Sequence, residues 1–474
     1  MGLTPAVQAT IREATLRRLR QALFAFFVAC IGASLVGAAW ITYKFGVSPT
    51  ALALVVAWAG MAAAAIYCIR LNRWAPALLI ILGLRIGMFL VTHGLVTSTP
   101  DPHFYDVLAR SISHGRDLRI ITNGVVLRAH APRLYSILLG GLFAVSEGSK
   151  IAPFILNGLL DLLTALLIYL CARRLDAGAT AARLFGALYL LWPSVVVGSA
   201  FAVKETLGSP LVLACIWTLL CTSQDGRQRG VQYGLFLGLL GLTQPAWFFM
   251  TAAFPLAIAL RRRWSDVIRF LVVASLATIL VLAPWVARNW VVTGGFVPLT
   301  TSTGFNLYTN AAGGLHFPAR LNRLPELAWS NGMLAAGWAI IISNPIGYFA
   351  HEAKMMFTAF ALEHAYYFNL EGLSTPPRIS PKDFLPVMQL PLIALWAGAA
   401  AFFRSRSAPA LMTAIFGIIL LHLLTVSIWF EFAARHRAYL LPLLLVCCST
   451  LLERRPVNVA PAEGSNRPGR PSGV

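Results

Sequence analysis

Residues 267–286 read VIRFLVVASLATILVLAPWV, a run carrying a single charge, Arg269, with Arg261, Arg262 and Arg263 before it and Arg288 just after it. About 20 apolar residues are what a helix needs to cross the hydrocarbon core of a bilayer. Working outward, similar runs lie near 21–42, 51–68, 75–95, 152–171, 179–197 and 205–221. Two shorter ones flank Gln244-Pro245, and three more follow residue 384. The whole chain has the same character. Of its 474 residues 58% are hydrophobic and 12% charged, and its mean hydropathy is +0.71. Ordinary soluble domains carry charge on about a quarter of their residues, so a soluble domain, a disordered chain and a coiled coil are excluded. The fold class is an all-α polytopic membrane protein.

The formal net charge is +20, from 38 Lys+Arg against 18 Asp+Glu. A nucleic-acid partner is nonetheless excluded, because the arginines form short clusters between apolar runs, the pattern of the positive-inside bias. Cys30, Cys68, Cys171, Cys215, Cys221, Cys447 and Cys448 all sit in apolar segments without metal-ligand spacing and read as small core residues.

Arginine parity sets a topology. Residues 1–20, with Arg12, Arg17, Arg18 and Arg20 behind Thr4-Pro5, suit a cytoplasmic basic helix on the membrane surface. A retained anchor fits this start better than a cleaved signal peptide. Residues 21–74 form a transmembrane hairpin, and 75–452 a larger transmembrane domain with long external loops at 97–151 and 287–384 that hold interfacial helices. Residues 453–474 are a disordered cytoplasmic tail. Twelve crossings result, with both ends cytoplasmic and the acids enriched outside, where any chemistry is expected.

The first loop opens STPDPHFYDVLARSISHGRDL. Asp101 follows a membrane helix directly, where partial desolvation makes a carboxylate a good proton acceptor, although Asp before Pro is also a helix start signal. Tyr105 and Asp106 follow it. Arg128, His130 and Arg133 flank Pro132, placed for phosphate oxygens or for lipid headgroups generally. Lys204-Glu205 begins a helix, where Glu205 is favoured by the dipole alone, yet an ionisable pair at a bilayer boundary is costly without partners. Beyond 286 come Arg288, Asn289, Asn306, Tyr308 and Asn310, more polar groups than an aromatic belt requires. Arg435, His436 and Arg437 stand at an external helix mouth, against the positive-inside trend, and so suit an anion. Arg85 and Asp161 fall within the membrane and read as an intramembrane pair or as separately solvated groups.

The order of these motifs resembles the GT-C glycosyltransferases that use polyprenyl-phosphate sugars, especially the family 39 group of protein mannosyltransferase-like and aminoarabinose-transferase-like enzymes. The matching pieces are Asp101 with Tyr105 and Ala109, Pro132-Arg133-Leu134-Tyr135, Lys204-Glu205-Thr206-Leu207 and Leu242-Thr243-Gln244-Pro245. After these come APWVARN with Val297-Pro298 and Asn306-Leu307-Tyr308, then Arg435 to Pro442. The likeness covers about residues 75–452. It implies a GT-C-like bundle of about 12 transmembrane helices in the inner (plasma) membrane, with an external, periplasmic active site. It also implies inverting transfer of a hexosyl or pentosyl group from a polyprenyl-phosphate-linked sugar to an acceptor glycan, lipid or protein, without a required cofactor. Asp101 is then the general base, Glu205 orients substrate or Lys204, and the donor phosphate meets Arg435, Arg437 and Arg288. Two departures matter. Gln244 stands where many relatives carry Arg, and Ala131 where many have a basic residue, so phosphate binding leans on Arg128 and His130. Pro102, where a second acid could follow Asp101, argues against a two-carboxylate metal site. The alternative expectation is a transporter or flippase of lipid-linked sugars; a noncatalytic scaffold leaves the external acids and arginines unexplained.

Overall fold

The computed structural model describes residues 5–92, 100–122, 124–221, 225–260, 263–313, 318, 321, 323–363, 381–405, 408–425 and 434–452. Among the described residues, five helices are long and apolar enough to cross a membrane. They lie within α1 (Pro5–Phe45), α2 (Pro49–Arg70), α6 (Ile151–Arg174), α12 (Trp264–Thr293) and α16 (Pro381–Arg404). Shorter apolar helices fill most of the other predicted crossings: α3 (Trp74–Thr92), α7 (Ala179–Leu190), α9 (Glu205–Leu220), α17 (Ala410–Thr425) and α18 (Leu440–Leu452). The two runs around Gln244-Pro245 are α10 (Gly226–Gly241) and α11 (Pro245–Ala252), the latter continued by a 3-10 turn at Phe254–Leu260. Proline punctuates this order. The run expected at 179–197 breaks before Pro193 into α7 and the short α8 (Pro193–Gly198), because the residue ahead of a proline avoids helical geometry.

The basic start of the chain is not a separate surface helix. It is continuous with α1, whose 41 residues at 1.5 Å each span about 60 Å, roughly twice the hydrocarbon thickness. Arg85 of α3 and Asp161 of α6 are an intramembrane ion pair at 2.8 Å, and the Tyr189 hydroxyl of α7 donates to the same carboxylate at 3.1 Å. All three are buried, so their charges bind helix to helix.

The first predicted loop holds α4 (Pro100–Ser113), a hairpin of β1 (Ile120–Thr122) and β2 (Val125–Leu127), and α5 (Leu134–Ser146). Its helices were expected from the sequence and its hairpin was not. Gly140 lets α4 and α5 pack closely: a Cβ there would lie 2.9 Å from the Ala109 carbonyl oxygen. The second loop holds α13 (Ser302–Ala312), α14 (Glu326–Ser343) and α15 (Pro345–Ala361). Here the surface-helix expectation gives way, since α14 and α15 are bent by 104° at Asn344 and together are as long and apolar as a span. The far end of α15 is buried against α1, where Ser34 Oγ donates to the Phe360 carbonyl. The tail 453–474 lies outside the described residues.

Candidate functional site

Asp101 belongs to the first turn of α4, and its side chain lies outside the described residues. Tyr105, four residues further along α4, is buried with its ring edge-on to Tyr135 of α5, centroids 5.9 Å apart. The Lys204 ammonium stands 5.8 Å from the centre of the Tyr105 ring. Thus α4, α5 and the start of α9 converge, bringing Lys204-Glu205 beside the helix that carries Asp101. Glu205 is buried in the first turn of α9. Asp106 is engaged elsewhere, accepting from Arg110 Nε at 2.9 Å and Nη2 at 3.4 Å.

Past this platform, two guanidinium groups point at one backbone oxygen. Arg288 Nη1 donates to the Arg128 carbonyl at 2.9 Å and Arg133 Nη2 to the same oxygen at 3.3 Å. Arg133, 1% exposed, occupies the position just before α5. Its Nε and Nη1 are buried and have no hydrogen-bond partner among the described residues, and no carboxylate there pairs with it. Its charge rests on the Phe104 ring at 5.5 Å. Burial, reinforced by nearby Arg288, pulls the Arg133 guanidinium down to about 10. Both effects disfavour the cation, so a bound anion would relieve both.

The segment that presents these cations is held by a carboxylate the sequence reading missed. Glu326, at the start of α14, accepts from the Arg128 amide at 2.6 Å, the Ala129 amide at 2.9 Å and Thr301 Oγ1 at 2.6 Å. The acid with the largest charge influence on Arg133 therefore serves the backbone. Its only sequence signal was the position after Pro325, which reads as a plain helix start. Arg128 itself is half-exposed and pairs with Asp117 at 3.3 Å. His130 is enclosed by the rings of Phe104, Phe305 and Trp329. Asn289 donates to the Val297 and Leu299 carbonyls and accepts from Arg288 Nη1, so it shapes the loop and steadies the arginine. Asn306 is half-buried on α13, next to Phe305. The Leu134 amide donates to the Leu242 carbonyl, joining the Pro132-Arg133 stretch to the break before Pro245.

Ala434–Tyr439 is a 3-10 turn laid against the start of α9. Gly208 permits this, since a Cβ there would lie 2.2 Å from the Tyr439 ring. The Arg435 and His436 side chains lie outside the described residues. Arg437 is buried and neutralised, its Nη2 on Glu363 Oε2 at 2.6 Å and its Nη1 on the Ala359 and Leu362 carbonyls. Of the three arginines expected to meet a phosphate, Arg288 shares the Arg128 carbonyl with Arg133, while Arg437 is committed to α15. No group of three or more His, Cys, Asp or Glu that could hold a metal occurs among the described residues.

No family model and no curated protein matches the sequence. Among solved structures, the chain is similar to the archaeal oligosaccharyltransferase AglB from Archaeoglobus fulgidus in complex with an inhibitory peptide and a dolichol-phosphate. Identity is 12% over 78% of this chain and 50% of that one, with a TM-score of 0.44. It is also similar to ArnT from Cupriavidus metallidurans bound to undecaprenyl phosphate, at 15% identity over 79% of this chain and 78% of that one, TM-score 0.40. The chain spans about half the length of the oligosaccharyltransferase it matches.

Proposed function

We propose that this protein is an integral membrane glycosyltransferase that takes a sugar from a polyprenyl-phosphate donor and passes it to an acceptor outside the cytoplasm. The observation that carries the reading is the convergence of Arg133 and Arg288 on one carbonyl without a carboxylate partner among the described residues. A buried cation kept without a counter-ion costs folding free energy and is retained where an anion arrives later. The donor phosphate meets Arg133 and Arg288, with Lys204 across the Tyr105 ring, and the lipid tail lies between helices.

In the reaction, the acceptor's hydroxyl or amine attacks the anomeric carbon from the face opposite the phosphate. The carbon–oxygen bond to phosphate breaks, its electron pair leaves with the polyprenyl phosphate, and the acceptor's proton passes to Asp101. The configuration inverts. Charge accumulates on the departing phosphate, so fixed guanidinium groups stabilise the transition state more than the ground state. Glu205, one residue from Lys204, orients that ammonium or the acceptor. The topology belonging to this reading has twelve crossings, both termini cytoplasmic and the arginine pair at the outer rim.

The transporter alternative draws on ionisable groups near the bilayer midplane. Arg85 and Asp161 are the candidates there, and they are bonded to each other and to Tyr189. Membranes containing the protein, incubated with a panel of labelled polyprenyl-phosphate sugars, are expected to give one labelled product in which the sugar has left its lipid. Arg133→Gln is expected to abolish that product. Label that crosses the membrane still attached to its lipid would refute transfer.

A further inference from the structure

Asn157, in the second turn of α6, is fully buried and bonded on every side. Its Nδ2 donates to the carbonyls of Gly198, Ser199 and Phe201, in the chain that leads from α8 into Lys204. Its Oδ1 accepts from the Tyr135 hydroxyl at 2.9 Å and from Thr206 Oγ1 at 2.9 Å. Tyr135 stands two residues after Arg133, and Thr206 two residues after Lys204. One amide oxygen therefore holds a hydroxyl next to each of two cations that come from segments 71 positions apart (204 − 133). The Tyr105 ring closes the circuit, edge-on to Tyr135 and beneath the Lys204 ammonium.

We infer that Asn157 is a positioning residue that sets the separation of Arg133 and Lys204, and through it the affinity for the phosphate of a lipid donor. The inference rests on the donor-phosphate reading above. The Asn157 Nδ2 caps the carbonyls at and after the end of α8, a structural duty; its Oδ1 adds a second duty, the tie to Tyr135. The circuit has a use only if the two segments must meet in one fixed register. Asn157 touches neither cation and acts through Tyr135 and Thr206. Removing the Tyr135 hydroxyl severs the 133 segment from Asn157, whereas removing the Thr206 hydroxyl leaves Asn157 tied to the chain before Lys204 through its Nδ2 bonds to 198–201.

The test measures binding of undecaprenyl phosphate to the purified full-length protein in nanodiscs, well below each variant's melting temperature. Tyr135→Phe is expected to raise Kd at least tenfold and Thr206→Val threefold or less, with the double variant matching Tyr135→Phe. A double variant that melts earlier yet binds as tightly as the wild type would show a structural role only and overturn the inference. Arg133→Gln separates the two levels. If the wild type binds, Arg133→Gln does not, and the double variant is unchanged, the inference falls and the donor site stands. If the wild type itself does not bind, both fall.

Discussion

Arg133 shows how one residue can set function against stability. Its guanidinium is buried, lies near Arg288 and has two nitrogens without hydrogen-bond partners among the described residues. Replacing an uncompensated buried ion by an apolar side chain commonly stabilises a fold. Arg133→Met is therefore expected to raise thermal stability by roughly 1 kcal/mol or more while removing anion binding; a melting curve and a binding isotherm on the same sample check both. The pH dependence follows from the same cause. The folded protein holds the Arg133 guanidinium at about 10, well below the free group, so the penalty on the fold is complete at neutral pH and eases as pH rises above about 10. Anion affinity should be flat between about pH 7, above the second ionisation of a phosphate monoester, and about pH 9, and fall as pH passes about 10, as a titration of Kd against pH will show. Asp101→Asn is expected to leave donor binding intact and abolish transfer, which paired binding and turnover measurements on that variant check. The residues at 101, 133 and 204 stood out in the sequence because charge at a membrane boundary is expensive, but the donor phosphate was expected on Arg435, Arg437 and Arg288 and not on Arg133. Their partners did not stand out. Glu326 and Asn157 look like ordinary helix residues until the backbone brings distant segments against them.

Among the elements, the end of α15 is the most heavily tied. The last carbonyls of a helix have no partners within it, and here side chains from elsewhere supply them. Ser34 and Trp396 donate to Phe360, Gln389 to Ala361, and Arg437 to Ala359 and Leu362. Glu363 neutralises Arg437, so the cap and the 434–439 turn form one unit beside α9. Glu363→Gln leaves that arginine buried without a counter-charge and is expected to destabilise the protein by about 3 kcal/mol. Glu363→Leu with Arg437→Met should recover part of the loss, read by thermal unfolding in detergent. Helix existence was readable from runs of apolar residues, and Pro193, Pro245 and Pro345 mark where helices restart. The α14–α15 bend and the protein-buried end of α15 were not readable, because apolar composition says nothing about direction and the capping partners lie on α1, α16 and the turn before α18.

For the whole molecule, the account requires the α4–α5 loop to face outward and the α2–α3 turn to face the cytoplasm. The seven native cysteines give little background, since six are buried and Cys68 is half-buried. A membrane-impermeant maleimide applied to intact cells or right-side-out vesicles should label Lys150→Cys and leave Arg73→Cys unlabelled until the membrane is opened. The reverse pattern would invert the topology. The central claim, that Arg133 and Arg288 together form the seat of a lipid-linked phosphate, is tested most directly by the affinity of the purified protein for undecaprenyl phosphate, with and without both arginines. The wild type is expected to bind, and the Arg133→Met, Arg288→Met double variant, still folded, to lose at least a hundredfold in affinity. Equal binding by the two proteins would contradict the claim.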